Sequence, residues 1–339
     1  MVFAMVDPAL IDRAARRLAE GGLVAFPTET VYGLGARADD DAAVAAIFAA
    51  KGRPAEHPLI VHLAHANAAS EFAADPSAEA RLLMAACWPG PLTVIVPRRA
   101  DRGRAAAGGQ ASIGLRVPSH PVALALLRAC ANRGVAGLAA PSANRFGRVS
   151  PTSAPHVLQE FGPGLMVLDG GPCAVGIEST IVDCTRSPPA LLRPGQLRVA
   201  DLQAVLGSRP WATPDAASPR ASGTLASHYA PAVPVRLFSR QALVQALQQG
   251  TAGPSEPALA GKVHAVYSRL KKQEMPAAVK SDPRWLFRNM PDDADAAAHE
   301  LFSALRELEA AGVADIWVEQ PPPAFAWDGV RDRLTRAAA

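Results

Sequence analysis

The sequence predicts an α/β protein in two domains: a sheet covered by helices, followed by a smaller α/β domain. Three observations carry this. Short apolar runs of strand length alternate with longer stretches whose apolar residues recur at helical spacing. Near residue 205 the texture breaks, and residues 208–234 are rich in Pro, Ala, Ser and Gly with little periodicity. A length of 339 residues also suits two domains, since one domain usually takes roughly 100–200 residues. The expected division is a first domain over 1–207, a linker over 208–232 and a second domain over 233–339.

The elements follow in order. Leu10, Ile11, Ala14, Ala15 and Leu18 predict a helix over 8–20, stopped by Gly21 and Gly22. Residues 23–26 form a short apolar run ending at Pro27, which suits a buried strand. Residues 33–38 fit G-x-G-x-x-A, but residues 27–32 separate them from the strand and the next helix opens late, around 39–41. The dinucleotide pattern needs a strand running straight into the glycine turn, so a plain tight turn is the better reading. A helix is expected over 41–51, led by acidic residues at its positive end. Strands are expected at 59–63, 92–96, 113–117, 165–168 and 179–183, with a helix at 121–130. Beyond the linker come strand 235–238, helix 241–248, strand 263–267, helix 295–311 and strand 315–319.

Composition narrows the function. Apolar residues make up 49% and charged residues 19%, an ordinary globular balance. The net charge of +3, from 34 basic and 31 acidic residues, permits an anionic ligand but does not argue for a protein that coats nucleic acid. Cys87, Cys130, Cys173 and Cys184 form no C-x-x-C pair and read as reduced thiols in a cytoplasmic protein. Asp7, Asp12 and Arg13 interrupt the N-terminus before any signal-peptide run, and Arg128, Asn132 and Arg133 interrupt the most apolar long stretch before it could span a membrane.

No P-loop and no G-x-S-x-G elbow occur. His57, His62 and His65 lie close together but match no common zinc spacing, so no protein metal site is expected. Lys51-Gly52-Arg53-Pro54 has two readings. One is a basic helix C-terminus with a loop stop. The other is a phosphate clamp, with Lys as a point charge and Arg as a fork. Pro141-Ser142-Ala143-Asn144, Gly176-Ile177-Glu178-Ser179-Thr180 and Leu192-Arg193-Pro194-Gly195 are equally at home as ligand contacts at strand ends or as turns.

Together these segments resemble one family. Its opening block is matched by Phe26-Pro27-Thr28-Glu29-Thr30-Val31-Tyr32-Gly33-Leu34-Gly35. Lys51-Gly52-Arg53-Pro54, Pro58-Leu59-Ile60-Val61-His62, Trp88-Pro89-Gly90-Pro91-Leu92-Thr93 and Leu115-Arg116-Val117-Pro118 follow. Then come Ala140-Pro141-Ser142-Ala143-Asn144, Gly176-Ile177-Glu178-Ser179-Thr180 and Leu191-Leu192-Arg193-Pro194-Gly195. The order and number of blocks are similar to the Sua5/YrdC/YciO family. His228-Tyr229-Ala230-Pro231 and the closing residues 332–338 resemble its long Sua5 form.

The resemblance implies a YrdC-like twisted open sheet with helices, then a small Rossmann-like domain. It implies condensation of L-threonine, bicarbonate or CO2 and ATP, with Mg2+ on the ATP, into threonylcarbamoyl-adenylate and pyrophosphate. A separate transferase would pass the group to position 37 of tRNA. By matching position, Lys51 and Arg53 would be catalytic and hold the phosphates. His57, Ser112, Ser142, Asn144, Ser150, Arg193 and Tyr229 would complete the ATP site, with Tyr229 as a lid. Thr30, His62, Arg116, Ala140 and Ser179 would hold threonine. His57 departs from the usual Asn, and the linker is poorer in cations than in many relatives. Two other classes share the fold: a double-stranded RNA-binding module, and a carbamoyl-transfer domain of the hydrogenase-maturation type, whose zinc-finger and acylphosphatase-like segments are missing here.

Overall fold

The computed structural model describes residues 6–249 and 262–339. The expected domain ranges 1–207 and 233–339 include 1–5 and 250–261, which lie outside the described residues. The chain forms two compact units. Of the described residues, the first holds 6–146 and 150–224; the second holds 147–149, 225–249 and 262–339.

The first unit begins with α1 (Pro8–Ala19), β1 (Val24–Phe26), β2 (Gly33–Arg37), α2 (Asp41–Lys51) and β3 (Ile60–His62). It continues with α3 (Ala78–Cys87), β4 (Leu92–Pro97), β5 (Ser112–Arg116), α4 (Pro121–Ala131) and β6 (Leu138–Ala139). It ends with α5 (Ala154–Phe161), β7 (Met166–Val167), β8 (Thr180–Asp183), β9 (Ala190–Arg193) and α6 (Val199–Leu206). Its strands form one mixed sheet in the order β7-β1-β2-β6-β3-β5-β4-β8-β9.

Both faces of that sheet are covered, which is why its strands read as continuous apolar runs rather than alternations. In β1, Val24 and Phe26 belong to a core with α1 and α4, whereas Ala25 points into the larger core with α2 and α3. Capping fits the local sequence. Asp7 accepts from the Ala9 amide at the start of α1, and Asp40 accepts from the Ala42 and Ala43 amides at the start of α2. Gly52 ends α2 in the left-handed conformation, with φ 63°.

One sequence expectation is overturned. Residues 33–37 are not a turn but strand β2, antiparallel to β1. The glycines serve close approach: a Cβ at Gly35 would lie 2.8 Å from Cε1 of Phe26.

The second unit holds β10 (Val235–Phe238), α7 (Arg240–Gln249), β11 (His264–Ser268), α8 (Ala277–Lys280), β12 (Trp285–Asn289), α9 (Ala294–Ala310), β13 (Ile316–Glu319) and α10 (Asp328–Ala337). The four strands are all parallel, in the order β10-β13-β11-β12, with helices in the connections, a Rossmann-like arrangement. Trp317 and Trp285 pack with Leu243, Leu247 and Val266 in its core. No helix among the described residues is long and apolar enough to cross a membrane.

Candidate active site

Lys51 closes α2, where a lysine normally reaches water. Its side chain is instead buried, and Nζ donates to the Ser142 carbonyl at 2.6 Å and to the Asn144 carbonyl. Burial pushes its ammonium well below the usual range, and the neighbouring Arg53 adds to the push. Lys51 therefore pins the 141–144 loop to the end of α2, which the helix-cap reading did not foresee.

Arg53 is also buried, and Nη2 donates to the Pro58 carbonyl at 2.9 Å. Its guanidinium lies 5.9 Å from the centre of the Phe146 ring, and His57 meets the same ring edge-on at 5.4 Å. Partial burial and Arg53 lower the His57 pKa, which favours the neutral imidazole.

Arg116 ends β5. Its Nη1 donates to Thr30 Oγ1 at 2.8 Å and its Nε to the Gly90 carbonyl at 3.2 Å. The carboxylate of Glu29 lies 2.6 Å from Nη2. Thr30 is held in turn by Thr28, whose hydroxyl lies 2.8 Å from that of Thr30 and accepts the Thr30 amide. His62 stands beside Arg116 in the β3–β5 register, with its ring edge-on to Phe26. Burial lowers its pKa to about 3, with Arg116 adding to the effect, so the ring is neutral. Ala140 joins this group through its amide, which donates to the Ile60 carbonyl at 3.0 Å.

Arg193 ends β9. Its Nη2 donates to the carbonyl of Ser179 at 2.8 Å and to the Ser179 hydroxyl at 3.2 Å. That hydroxyl lies 2.7 Å from Thr93 Oγ1. Arg193 Nη1 donates to the Ser222 carbonyl at 2.8 Å.

The turn at 88–91 ties these groups together, because Gly90 accepts from Arg116 and Pro91 accepts from the Thr180 amide. A bridge between Gly33 and Ser142 joins the threonine-rich loop to the Lys51 loop. Ser112, at the start of β5, lines a small cavity with Thr93, Gly114 and residues 220–222. The cavity measures about 10 Å³, room for one water.

Ser150 donates to a carboxylate oxygen of Glu178. Tyr229 falls in the second unit, at φ 64°, stacked on Phe302 with the Arg333 guanidinium over its ring. Thus Thr30, Lys51, Arg53, His57, His62, Ser112, Arg116, Ala140, Ser142, Asn144, Ser150, Ser179 and Arg193 lie in the first unit, whereas Tyr229 does not.

The family model Sua5_yciO_yrdC, described as telomere recombination, matches residues 16–195. The chain belongs to the Sua5/YrdC/YciO family. A second model, the threonylcarbamoyl-AMP synthase C-terminal domain, matches 197–339, so this family member has the long Sua5 form. A threonylcarbamoyl-AMP synthase of Pyrococcus abyssi is 36% identical over 334 residues, 96% of this chain and 93% of the relative. One from Bacillus subtilis is 40% identical over 254 residues, 72% of each chain. The crystal structure of P. abyssi Sua5 complexed with L-threonine superposes with a TM-score of 0.86 at 34% identity, covering 98% of this Sua5-type chain and 95% of that one.

Two residues of this site, Glu29 and Thr93, are not among those the sequence assigns to it. Glu29 and Thr93 sat inside quoted blocks, but their partners are distant in sequence. A carboxylate between two threonines, just after an apolar strand, is the one signal that marked Glu29.

Proposed function

We propose that this protein is a threonylcarbamoyl-AMP synthase. The observation that carries the reading is the set of buried basic side chains, Lys51, Arg116 and Arg193, each hydrogen-bonded to another residue of the candidate site. The length-wide likeness to relatives of that name supports it.

In this reading the threonine amine adds to CO2 and releases a proton, forming a carbamate. A carbamate oxygen then attacks the α-phosphorus of ATP, and the bond to pyrophosphate breaks. Charge builds on phosphoryl oxygens, so alignment and fixed cations matter more than a strong base. Lys51 and Arg53 would hold the phosphates with Arg193, while His57, Ser112, Ser142, Asn144 and Ser150 would line the nucleotide. Arg116 would take the threonine carboxylate, with Thr30, His62, Ala140 and Ser179 around the rest.

Mg2+ would be carried by ATP itself and would offset the charge of its phosphates. Among the described residues no group of three or more His, Cys, Asp or Glu is placed to hold an ion. The protein's own contribution is then cations, hydroxyls and backbone amides.

Because the cavity beside Ser112 holds about one water, ATP would enter only after residues 220–222 lift from it. Arg193 would exchange the Ser222 carbonyl for phosphate in that step.

The test is pyrophosphate release by the purified protein with ATP and Mg2+, with and without L-threonine and bicarbonate. Release that needs both supports the reading. Release without threonine, or protection of double-stranded RNA with no release, overturns it.

A further inference from the structure

Glu29 is a carboxylate in a buried place, with 8% of its side chain exposed against 4% for Arg116. Its position is over-determined. The Glu29 carbonyl accepts the Val175 amide at 2.7 Å, and Oε2 accepts the Ser119 amide at 3.1 Å. Oε1 lies 2.6 Å from Nη2 of Arg116, yet the two are not aligned as a hydrogen bond, and neither has another hydrogen-bond partner among the described residues. The contact is ionic, and both atoms keep hydrogen-bonding capacity inside the protein.

We propose that Glu29 is a positioning and specificity residue: by pairing with Arg116 it aims the guanidinium and offsets its charge, so that this pocket takes a zwitterionic amino acid rather than a polyphosphate. The proposal rests on the synthase reading. Arg116 is held on three sides, by Gly90, Thr30 and Glu29, so its orientation is set before any ligand arrives. Charge gives the second half. A bare buried guanidinium attracts any anion strongly in a low-dielectric pocket. Paired with a carboxylate, it offers little net charge to pyrophosphate or ATP. A zwitterion carries both signs close together and gains from both members of the pair. This separates two substrates that are both anionic at one end.

Glu29→Gln keeps the shape and removes the charge. The expected result is a KM for L-threonine raised by at least about tenfold while the KM for ATP stays within about twofold. Pyrophosphate should also become competitive with threonine in the variant, a pattern that a merely structural role would not create. Glu29→Asp, which restores the charge on a shorter arm, should recover part of the threonine KM.

An unchanged threonine KM, or a parallel rise for both substrates with no change in the inhibition pattern, overturns the proposal. Where Glu29→Gln does not fold, Glu29→Asp decides: a rise confined to threonine supports the proposal, and no rise overturns it. Calorimetric binding of L-threonine makes the same comparison without turnover. Failure of the synthase reading, seen as a wild-type protein without threonine-dependent release, therefore stays distinct from failure of this inference.

Discussion

Nζ of Lys51 and the carbonyl of Ser142 are joined at 2.6 Å, which makes the last residue of a helix the fastener of a loop ninety-one positions away. Lys51→Ala should abolish most pyrophosphate release. It should also cost stability, by about 1–3 kcal/mol, because the Ser142 and Asn144 carbonyls lose a buried donor. Melting and turnover measured on the same preparation separate the two effects. A variant that melts lower yet turns over normally would leave Lys51 with a purely structural role.

The same lysine sets a pH dependence. Its pKa is held well below the ordinary 10.5 by burial and Arg53. Phosphate beside it would raise that value again, so ATP binding should take up a proton. Affinity should then fall as pH rises from the lowered value toward the raised one. Calorimetry in buffers of different ionisation enthalpy reads the uptake directly; zero uptake at every pH would place the phosphates away from Lys51.

Arg116→Ala should raise the threonine requirement strongly and leave ATP binding nearly intact. Loss of a bidentate charge-assisted contact costs on the order of 2–3 kcal/mol. Separate titrations with the two substrates check this. Equal losses for both would show that Arg116 serves the whole site and not the amino acid.

His62 predicts an acid limb of stability. Its folded pKa, about 3, lies below the ordinary 6.5. Above 6.5 both states are neutral, and this group adds no pH dependence. Between 6.5 and about 3 the unfolded chain binds a proton that the folded chain refuses, so stability falls as pH falls, by about 1.4 kcal/mol per pH unit. Hydrogen exchange of amides in β3 and β5 across that range would follow it, and His62→Gln should flatten the slope.

Gln110 holds the segment over the cavity from both sides. Its Oε1 accepts the Arg220 amide at 2.8 Å, and its Nε2 donates to the Arg220 carbonyl at 3.1 Å. Arg220 is already exposed, so Gln110→Ala should act by loosening the backbone there, and trypsin should cut after Arg220 faster than in the unaltered protein. Unchanged cleavage would mean that the remaining contacts hold the segment alone.

The parts legible in the sequence were those with a local cause. The helix over α1 followed from its apolar spacing and from Gly21 and Gly22, and α2 followed from its acidic start. The strand before Pro27 followed from an apolar run. Gly33 and Gly35 misled because glycine signals a turn and a close approach equally well, and only the Phe26 ring distinguishes them. The two-residue strand β6 has no period long enough to read and exists because the sheet around it supplies partners, whereas β7 lies inside the apolar run at 165–168 that predicts it. At the site, the family blocks paired residues with ligands without saying which residues hold one another. That Arg116 already has a carboxylate partner, or that Ser179 bridges Thr93 and Arg193, depends on the order β3-β5-β4-β8 in the sheet. No local pattern encodes that order.

The single-water cavity beneath residues 220–222 has a kinetic consequence. In the synthase reading, a nucleotide site narrowed in this way cannot be entered at the rate of collision. At rising ATP concentration the observed rate of capture should level off, and the plateau should equal the rate at which the Arg220 and Ser222 contacts break. A linear dependence to high concentration belongs to a site that stands open. Turnover in this chain would then be timed by the loosening of a few backbone hydrogen bonds as much as by the phosphoryl chemistry beneath them.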